Sequence, residues 1–294
     1  MIAESGLTVD VTASVLREVG LHELVNIDCP GCDSVESVFE TNKNGFRVVR
    51  CLACSSLYVS PRPIESELLE IYRRFPQLSN SREGQPVHDG EDGRREAEYR
   101  LSRLMQFVKT GRLLDLGCGR GDFLLRARRH FEAVGVDIAN RTPSDPPGIR
   151  VFEGRLEDAQ FDQESFDAVT AVEVFEHLFN PFGALKEIHR ILRPGGILLL
   201  QTGDPGALPA RLNVANWSYL QPPIHVNFLS RAAVQERLKS VGLRVIGTWS
   251  FGRAPHRTPG ISHFTNPEIL RPVFDLTARI GVLGRMYAVE KEAS

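Results

Sequence analysis

Three closely spaced glycines and two acids near the middle of the chain could bind a nucleoside. A short apolar run leads into a loop that carries Gly117, Gly119 and Gly121, and a helical pattern follows. Glycine lets the backbone turn tightly and approach a ligand without a Cβ in the way. Asp137 ends the next apolar run, about 20 residues past the loop, where a carboxylate can reach both hydroxyls of a ribose.

The spacing and charge of this loop narrow the kind of nucleoside. The glycines run G-x-G-x-G, whereas a dinucleotide site requires G-x-G-x-x-G, and no Gly-Lys-Ser/Thr follows as in a phosphate-binding loop. Asp115, inside the preceding strand, would repel a pyrophosphate and would suit a cationic amine. The loop therefore predicts a cationic nucleoside without phosphates, a description that S-adenosylmethionine (SAM) fits.

Four of the five cysteines form a second group with recognisable chemistry. Cys29 and Cys32 are followed, after 18 intervening residues, by Cys51 and Cys54, so that two C-x2-C turns flank a spacer long enough for a hairpin. Two disulfides or free buried thiols are the alternatives, but the doubled spacing predicts a closed, structural four-thiolate zinc site. The fifth cysteine, Cys118, lies in the glycine loop and is expected there as a small neutral residue.

The elements that must position these residues alternate along the chain. Alternation of strands and helices predicts an α/β fold with a parallel sheet, which binds ligands at the carboxyl ends of its strands. Predicted strands lie near 112–116, 132–137, 149–152, 166–172, 196–202, 243–250 and 285–291. Predicted helices lie near 91–109, 121–129, 181–193, 230–241 and 267–280.

The N-terminal part divides into smaller segments. We expect an N-terminal helical segment over 1–27 and a four-cysteine zinc ribbon over 28–63, with strands at 48–49 and 57–59. Residues 64–94 are expected to form a helix (64–75) followed by a mobile linker or lid (76–93). A SAM-binding domain is expected over 95–294.

The region from about 95 to 290 resembles the class I SAM-dependent methyltransferases. It is most similar to the group with the ubiquinone-biosynthesis O-methyltransferases and many sugar and secondary-metabolite enzymes. The matching motifs are Leu114–Gly121, Val136–Asp137, Phe166–Val169, Glu176–Leu178 and Ile191–Gly196. The resemblance implies a Rossmann-like seven-stranded methyltransferase sheet whose last strand, 286–290, is antiparallel. A small zinc-ribbon domain ahead of this fold resembles the sugar C-methyltransferases and related enzymes.

The resemblance extends to the cofactor site. In the family, a backbone amide and an acidic side chain after strand three read the adenine, which implies Leu156 and Glu157 here, although Arg155 stands where Asp is common. The expected cofactor-binding residues are Asp115, Gly117, Cys118, Gly119, Gly121, Asp137, Ile138, Leu156, Glu157 and Glu173.

The segment after strand four carries Glu173, Glu176 and His177, which would share one face of a helical turn. In one interpretation they shape the substrate site, with His177 as a base or in a divalent-metal site. In the other, the acids fix a helix end and His177 is a hydrogen-bonded core residue. The E-x-x-E-H run resembles the ubiquinone O-methyltransferase pattern, where it implies a metal-assisted site.

The segment after strand five, 217–228, combines aromatic residues, two prolines and a histidine, and Ser230 is expected to cap the following helix. His225 is the first candidate for a general base, with His177 in reserve and Tyr219 as an orienting donor. The alternative is a packed loop in which His225 caps a backbone carbonyl.

Composition limits the partners. A net charge of −2 over 294 residues and few basic residues in the ribbon argue against a nucleic-acid partner, and the longest wholly aliphatic run is 197–200, too short to span a membrane. The N-terminus shows no signal-peptide pattern, so a cytoplasmic location is the expectation.

We therefore predict methyl transfer from SAM to oxygen or carbon of a small-molecule acceptor, a sugar nucleotide or secondary-metabolite intermediate. A zinc-ribbon RNA methyltransferase and a SAM-binding protein with non-methylating chemistry are the alternatives. The sequence does not indicate the oligomeric state.

Overall fold

The computed structural model describes residues 23–80, 91–139, 148, 150–251 and 284–292. The predicted helix over 267–280, most of the predicted segment 1–27 and residues 81–90 of the predicted linker lie outside this part. The described strands are β1 (Leu24–Val25), β2 (Ser37–Lys43), β3 (Phe46–Cys51), β4 (Leu57–Val59), β5 (Arg62–Pro63), β6 (Gly111–Leu116), β7 (Phe131–Asp137), β8 (Arg150–Glu153), β9 (Phe166–Val172), β10 (Leu192–Gly203), β11 (Asn227–Phe228), β12 (Leu243–Phe251) and β13 (Gly284–Lys291).

The described helices are α1 (Glu65–Asn80), α2 (Glu91–Leu104), α3 (Asp122–Ala127), α4 (Pro181–Ile191), α5 (Leu208–Leu212) and α6 (Arg231–Ser240). Ser230 caps α6 as predicted, because its hydroxyl accepts the amide of Ala233 at 3.2 Å. Helix α1 continues to residue 80 and α2 begins at residue 91, so both ends of the predicted linker are helical. None of the described helices is long and apolar enough to cross a membrane.

Seven strands form the large sheet in the order β12-β13-β10-β9-β6-β7-β8. Strands β6 to β10 are parallel to their neighbours within this group, and β13 is antiparallel to both β10 and β12. This arrangement confirms the predicted Rossmann-like methyltransferase sheet. The strand order reverses at β6, between β7 and β9, so the loops after these three strands meet at one edge.

A four-stranded antiparallel sheet, in the order β11-β4-β3-β2, carries the cysteine-rich segment. The predicted strands at 48–49 and 57–59 are present in β3 and β4. Strand β2 was not predicted, because its sequence is mostly polar. Strand β11 comes from the segment after β10, and Asn227 pairs with Tyr58 while Phe228 pairs with Leu57. The small sheet is thus completed by a part of the chain far from the cysteines.

Two shared apolar clusters join the small sheet to the segment after β10. In the first, Val59, Leu68 and Ile71 pack with Ile224 and Val226. In the second, the members are Val48, Leu57, Ala210, Trp217, Tyr219, Leu220 and Phe228. Because these side chains are buried together, separating the two parts would expose a large apolar area to water.

Candidate active site

The glycine loop leaves β6 with a backbone that favours glycine. Gly117, Gly119 and Gly121 have φ angles of 70°, 51° and 89°, which are in the left-handed region. A Cβ on Gly117 would lie 2.4 Å from Cγ2 of Val174, whereas a Cβ on Gly119 would have no atom within 4 Å. The loop is therefore packed against the segment after β9 at Gly117 and borders open space at Gly119, as a cradle for a bound cofactor requires.

Asp137, at the end of β7, holds this loop in place. Its Oδ2 accepts the amide of Gly119 at 2.7 Å and its Oδ1 accepts the amide of Ala139 at 2.7 Å. Each carboxylate oxygen can accept a further hydrogen bond, so the same group can receive ribose hydroxyls. This geometry suits the predicted ribose role of Asp137 and adds a second role, the ordering of the glycine loop.

Asp115 lies buried within β6, and its Oδ1 accepts the Thr170 hydroxyl at 2.6 Å. Burial raises the pKa of Asp115 to about 7, although the Thr170 hydrogen bond and the positive charge of Arg100 oppose the shift. Such a carboxyl group is poised to ionise when a cation arrives. Arg100 on α2 was not predicted. The sequence signal was only a basic residue on the helix that leads into the first strand of the sheet.

The other predicted cofactor residues lie around the same edge. Cys118 packs on β7, since a Cβ on Gly135 would lie 2.5 Å from its Sγ. Leu156 is buried, Glu157 is exposed and Ile138 is half-buried. Arg155, which departs from the family pattern, forms ion pairs with Asp158 at 2.9 Å and with Glu65 of α1 at 3.1 Å.

The segment after β9 does not form the helical turn that the sequence predicts. Glu173 has a φ of 56°, and its amide donates to the carbonyl of Gln201 on β10. A turn closed by the amide of His177 and the carbonyl of Val174 follows. Because Glu173 leaves the strand in a left-handed conformation, a helical i, i+3 relationship between Glu173 and Glu176 is not formed.

Glu176 is fully buried and accepts two side-chain hydrogen bonds. One comes from the hydroxyl of Tyr219, and the other from the hydroxyl of Thr202 at 3.0 Å. Burial raises the pKa of Glu176, and burial together with the charge of Glu176 raises the pKa of Glu173. In this structure Tyr219 therefore orients Glu176, and Glu176 anchors the segment after β10.

His177 and His225 meet where the two segments converge. Nδ1 of His177 lies 2.8 Å from the carbonyl oxygen of Ile224, and Nδ1 of His225 lies 2.7 Å from that of Tyr219. A carbonyl can only accept, so each neutral ring carries its proton on Nδ1 and its lone pair on Nε2. Burial lowers the pKa of His177, which keeps its ring neutral near pH 7.

Three potential ligand atoms lie within 4.8 Å of one another, one each from Glu176, His177 and His225. They are close enough to contact one small cation. The structure thus brings together the two candidate bases and one of the two predicted acids. Glu173 does not belong to this group.

The four ribbon cysteines also converge. Sγ of Cys29 lies 3.5 Å from Sγ of Cys54, and Sγ of Cys32 lies 3.5 Å from Sγ of Cys51. All four sulfur atoms lie within 4.8 Å of one another. A tetrahedral zinc ion with bonds of about 2.3 Å separates its sulfur ligands by about 3.8 Å. The cysteines therefore fit one zinc ion, and the predicted clustering is confirmed.

The sequence profile of a methyltransferase domain family matches residues 90–248, which is more than half of the chain. The chain belongs to this methyltransferase family. The match covers the glycine loop, Asp137 and both candidate histidines.

Curated relatives resemble parts of this chain. A fatty-acid O-methyltransferase of Mycolicibacterium smegmatis is 30% identical over 146 residues, covering 46% of this chain and 51% of that protein. A ubiquinone biosynthesis O-methyltransferase of Alkalilimnicola ehrlichii is 30% identical, covering 41% of this chain and 51% of that protein. The chain thus spans about half the length of these two relatives. A 27-O-demethylrifamycin SV methyltransferase of Amycolatopsis mediterranei is 23% identical, covering 70% of this chain and 80% of that protein.

Solved structures share the fold. A SAM-dependent methyltransferase of Archaeoglobus fulgidus has a TM-score of 0.50 at 20% identity, covering 67% of this chain and 94% of that chain. The [4+2]-cyclase SpnF has a TM-score of 0.57 at 19% identity, covering 79% of this chain and 98% of that chain. At these identities the likeness concerns the fold alone.

Proposed function

We propose that this protein transfers the methyl group of SAM to an oxygen or carbon atom of a small-molecule acceptor. The observation that carries the proposal is the left-handed glycine loop between Asp115 and Asp137, with open space at Gly119. The histidine pair lies after β9 and β10, at the same carboxyl edge of the sheet. Family membership supports the cofactor, and the rifamycin relative supports a secondary-metabolite acceptor.

Each part of the loop region suits one part of SAM. Asp137 would accept the ribose hydroxyls, and the amide of Leu156 with the Glu157 carboxylate would read the adenine. Asp115 would face the ammonium group. Arg100, whose guanidinium pairs with Glu96 at 2.9 Å, supplies a positive charge near Asp115 and Glu173 that suits a carboxylate. SAM, when bound, supplies a methyl group that its sulfonium charge already activates.

The chain's own work is then to align the acceptor and to accept a proton. Alignment of two reactants in a site shielded from water supplies a large part of the rate. We assign general-base catalysis to Nε2 of His225, because the Tyr219 carbonyl fixes its tautomer. His177 is the reserve candidate, since its lowered pKa keeps its Nε2 unprotonated near pH 7, although burial also makes it a weaker base.

We also propose that Cys29, Cys32, Cys51 and Cys54 hold one structural zinc ion. Four thiolates complete a tetrahedral shell and leave no position for water, so the ion would stabilise the small sheet and take no part in transfer. Burial disfavours the Cys51 thiolate, but hydrogen bonds from the amides of Cys54 and Ala53 and from neighbouring thiols lower the pKa of Cys51 to about 7. Burial raises the pKa of Cys29 and of Cys32, so the ion itself would have to displace their protons.

A methyl-labelled SAM assay tests the proposal against its alternatives. The purified protein is incubated with labelled SAM and either pooled small metabolites or pooled RNA. Label in the metabolite fraction supports the proposal, and label in RNA would support a zinc-ribbon RNA methyltransferase. SAM binding without transfer to either pool would favour non-methylating chemistry. A sugar nucleotide and a secondary-metabolite intermediate are then separated by fractionating the labelled product.

A further inference from the structure

Arg62 is the most deeply buried arginine among the described residues, with 2% of its surface exposed. Its Nη1 donates to Oδ1 of Asn227 at 3.0 Å, and its Nη2 donates to the carbonyl oxygen of Phe179 at 2.6 Å. Its guanidinium carbon lies 4.4 Å from the centroid of the Phe179 ring. Arg62 thus reaches from the ribbon to the two segments that carry the candidate histidines.

Asn227 continues this connection into the turn after β9. Its Nδ2 donates to the carbonyls of Phe175 at 3.1 Å and Leu178 at 2.6 Å. The amides of Val226 and Asn227 donate to the carbonyl of Glu176 at 2.8 and 3.1 Å. Every one of these acceptors is a backbone carbonyl next to or within two residues of His177, so the position of His177 depends on Asn227.

The other end of the connection is the cysteine cluster. The amide of Val59 donates to the carbonyl of Val226 at 3.0 Å, beside the pairing of β4 with β11. The Ser56 hydroxyl lies 3.1 Å from Sγ of Cys54 and accepts the amide of Ser230 at 2.9 Å. A thiolate at Cys54 can accept a hydrogen bond from the Ser56 hydroxyl, while the oxygen of Ser56 still accepts one from the amide of Ser230. The cysteine cluster is therefore tied to both sides of β11.

Burying the charged side chain of Arg62 costs desolvation free energy. Burial lowers its pKa to about 10, so it is still cationic near pH 7, and its Nε has no hydrogen-bond partner among the described residues. A buried charge costs free energy that an apolar side chain would not. The guanidinium provides what an apolar side chain cannot, two donors in a fixed plane that reach two segments at once.

We propose that Arg62 is a positioning residue that couples the folded, metal-bound ribbon to the acceptor side of the active site. It acts through Asn227 and the carbonyl of Phe179 on the backbone around His177 and His225. The ribbon then holds in place the backbone segments that carry both histidines. What the two histidines do rests on the proposed function, but the coupling itself does not.

Hydrogen exchange on the full-length, zinc-loaded protein tests the coupling without any acceptor. Arg62→Met keeps the length of the side chain and removes its donors, and Arg62→Lys keeps the charge without the planar fork. Arg50→Met is the matched control, because Arg50 also belongs to the ribbon, in β3, and pairs with Glu40 at 2.7 Å. SAM affinity and zinc content are measured for each variant.

For Arg62→Met we expect amide exchange in residues 174–180 and 220–229 to accelerate by about tenfold or more, as for a locally opened segment. Exchange in β6 and β7 should stay as in the wild type, and the NMR titration of His177 should move up towards that of an exposed histidine. Arg62→Lys should give a smaller change in the same peptides, and Arg50→Met none.

The coupling would be overturned if residues 174–180 and 220–229 of Arg62→Met exchanged at the wild-type rate. It would also be overturned if exchange accelerated equally over the whole large sheet. Should Arg62→Met fail to fold with zinc, Asn227→Ala is measured instead and must open residues 174–180. If exchange behaves as expected but the wild type transfers no methyl group, the proposed function fails and the coupling stands.

Discussion

The rings of His177 and His225 meet edge to face, with centroids 4.7 Å apart and planes at 73°. One ring comes from the turn after β9 and the other from the segment after β10. Each is oriented by a carbonyl from the latter segment, that of Ile224 or Tyr219. The two imidazoles that we propose for the acceptor side thus have their orientation set by the backbone.

Replacing His225 with alanine should separate catalysis from cofactor binding. A general base typically contributes about 10²–10⁴ in rate, so His225→Ala should lower turnover by that order. SAM affinity, measured by calorimetry, should stay near that of the wild type because the glycine loop is unchanged. His130→Ala is the control, since His130 is exposed in the turn between α3 and β7. Full turnover in His225→Ala with loss in His177→Ala would reverse the two roles.

Removal of loosely bound divalent ions distinguishes a base from a metal site at Glu176, His177 and His225. If His225 acts as a base, turnover should persist after mild chelation that leaves about one zinc per chain in the ribbon. Loss of turnover at full zinc content, restored by magnesium or manganese, would instead show that these three residues hold an ion.

Asp137→Ala should weaken SAM binding by about 1–3 kcal/mol, because hydrogen bonds to a charged group are lost. The amide of Gly119 would lose its acceptor as well, so the loop itself should loosen. Asp137→Asn keeps one acceptor oxygen and should lose less affinity than Asp137→Ala. Calorimetry that gives wild-type affinity for Asp137→Ala would remove the ribose assignment.

The buried carboxyl group of Asp115 should make SAM binding depend on pH. Burial raises its pKa to about 7, and an ammonium group binds the ionised form, so binding should release a proton. Affinity should therefore rise as the pH increases from below 6 to about 7, where most of an α-amino group such as that of SAM is still protonated. Because the pKa of Glu173 is also raised, Asp115→Asn is the control. Its affinity should be lower and nearly constant over this range, and an unchanged pH profile would refute the role.

Metal analysis of protein purified without chelator should give about one zinc per chain, as one tetrahedral shell of four thiolates requires. Cys29→Ser should unfold the ribbon, residues 28–63, because a segment of this size lacks a sufficient core of its own. SAM affinity should remain largely intact, since the glycine loop lies in the large sheet. A metal-free preparation with a folded ribbon would contradict the zinc assignment.

The sequence predicted the parts of the molecule that depend on local patterns. The strands of the large sheet, the glycine loop and the paired cysteines each have a short signature, and each is present. Strand β2 was missed because its polar residues carry no apolar alternation. The prediction of a helical turn at Glu173 was wrong, because the amide of Glu173 donates a hydrogen bond to the carbonyl of Gln201 on β10.

The contacts around the histidines could not be predicted from local patterns, since they join residues far apart in the sequence. Arg62 and Asn227 are 165 positions apart, and neither stands in a motif. Arg100 is similar, because its place near Asp115 follows from how α2 packs against the sheet.

Transfer of a labelled methyl group by the wild type and two variants tests the proposed function. The wild type, Asp137→Ala and His225→Ala are incubated with SAM that carries a trideuterated methyl group and a pool of small metabolites, and the products are identified by mass spectrometry. We expect a wild-type product heavier than its acceptor by one labelled methyl group on oxygen or carbon, and a large loss of this product in both variants. No labelled metabolite from wild-type protein that binds SAM, or equal product from all three proteins, would contradict it.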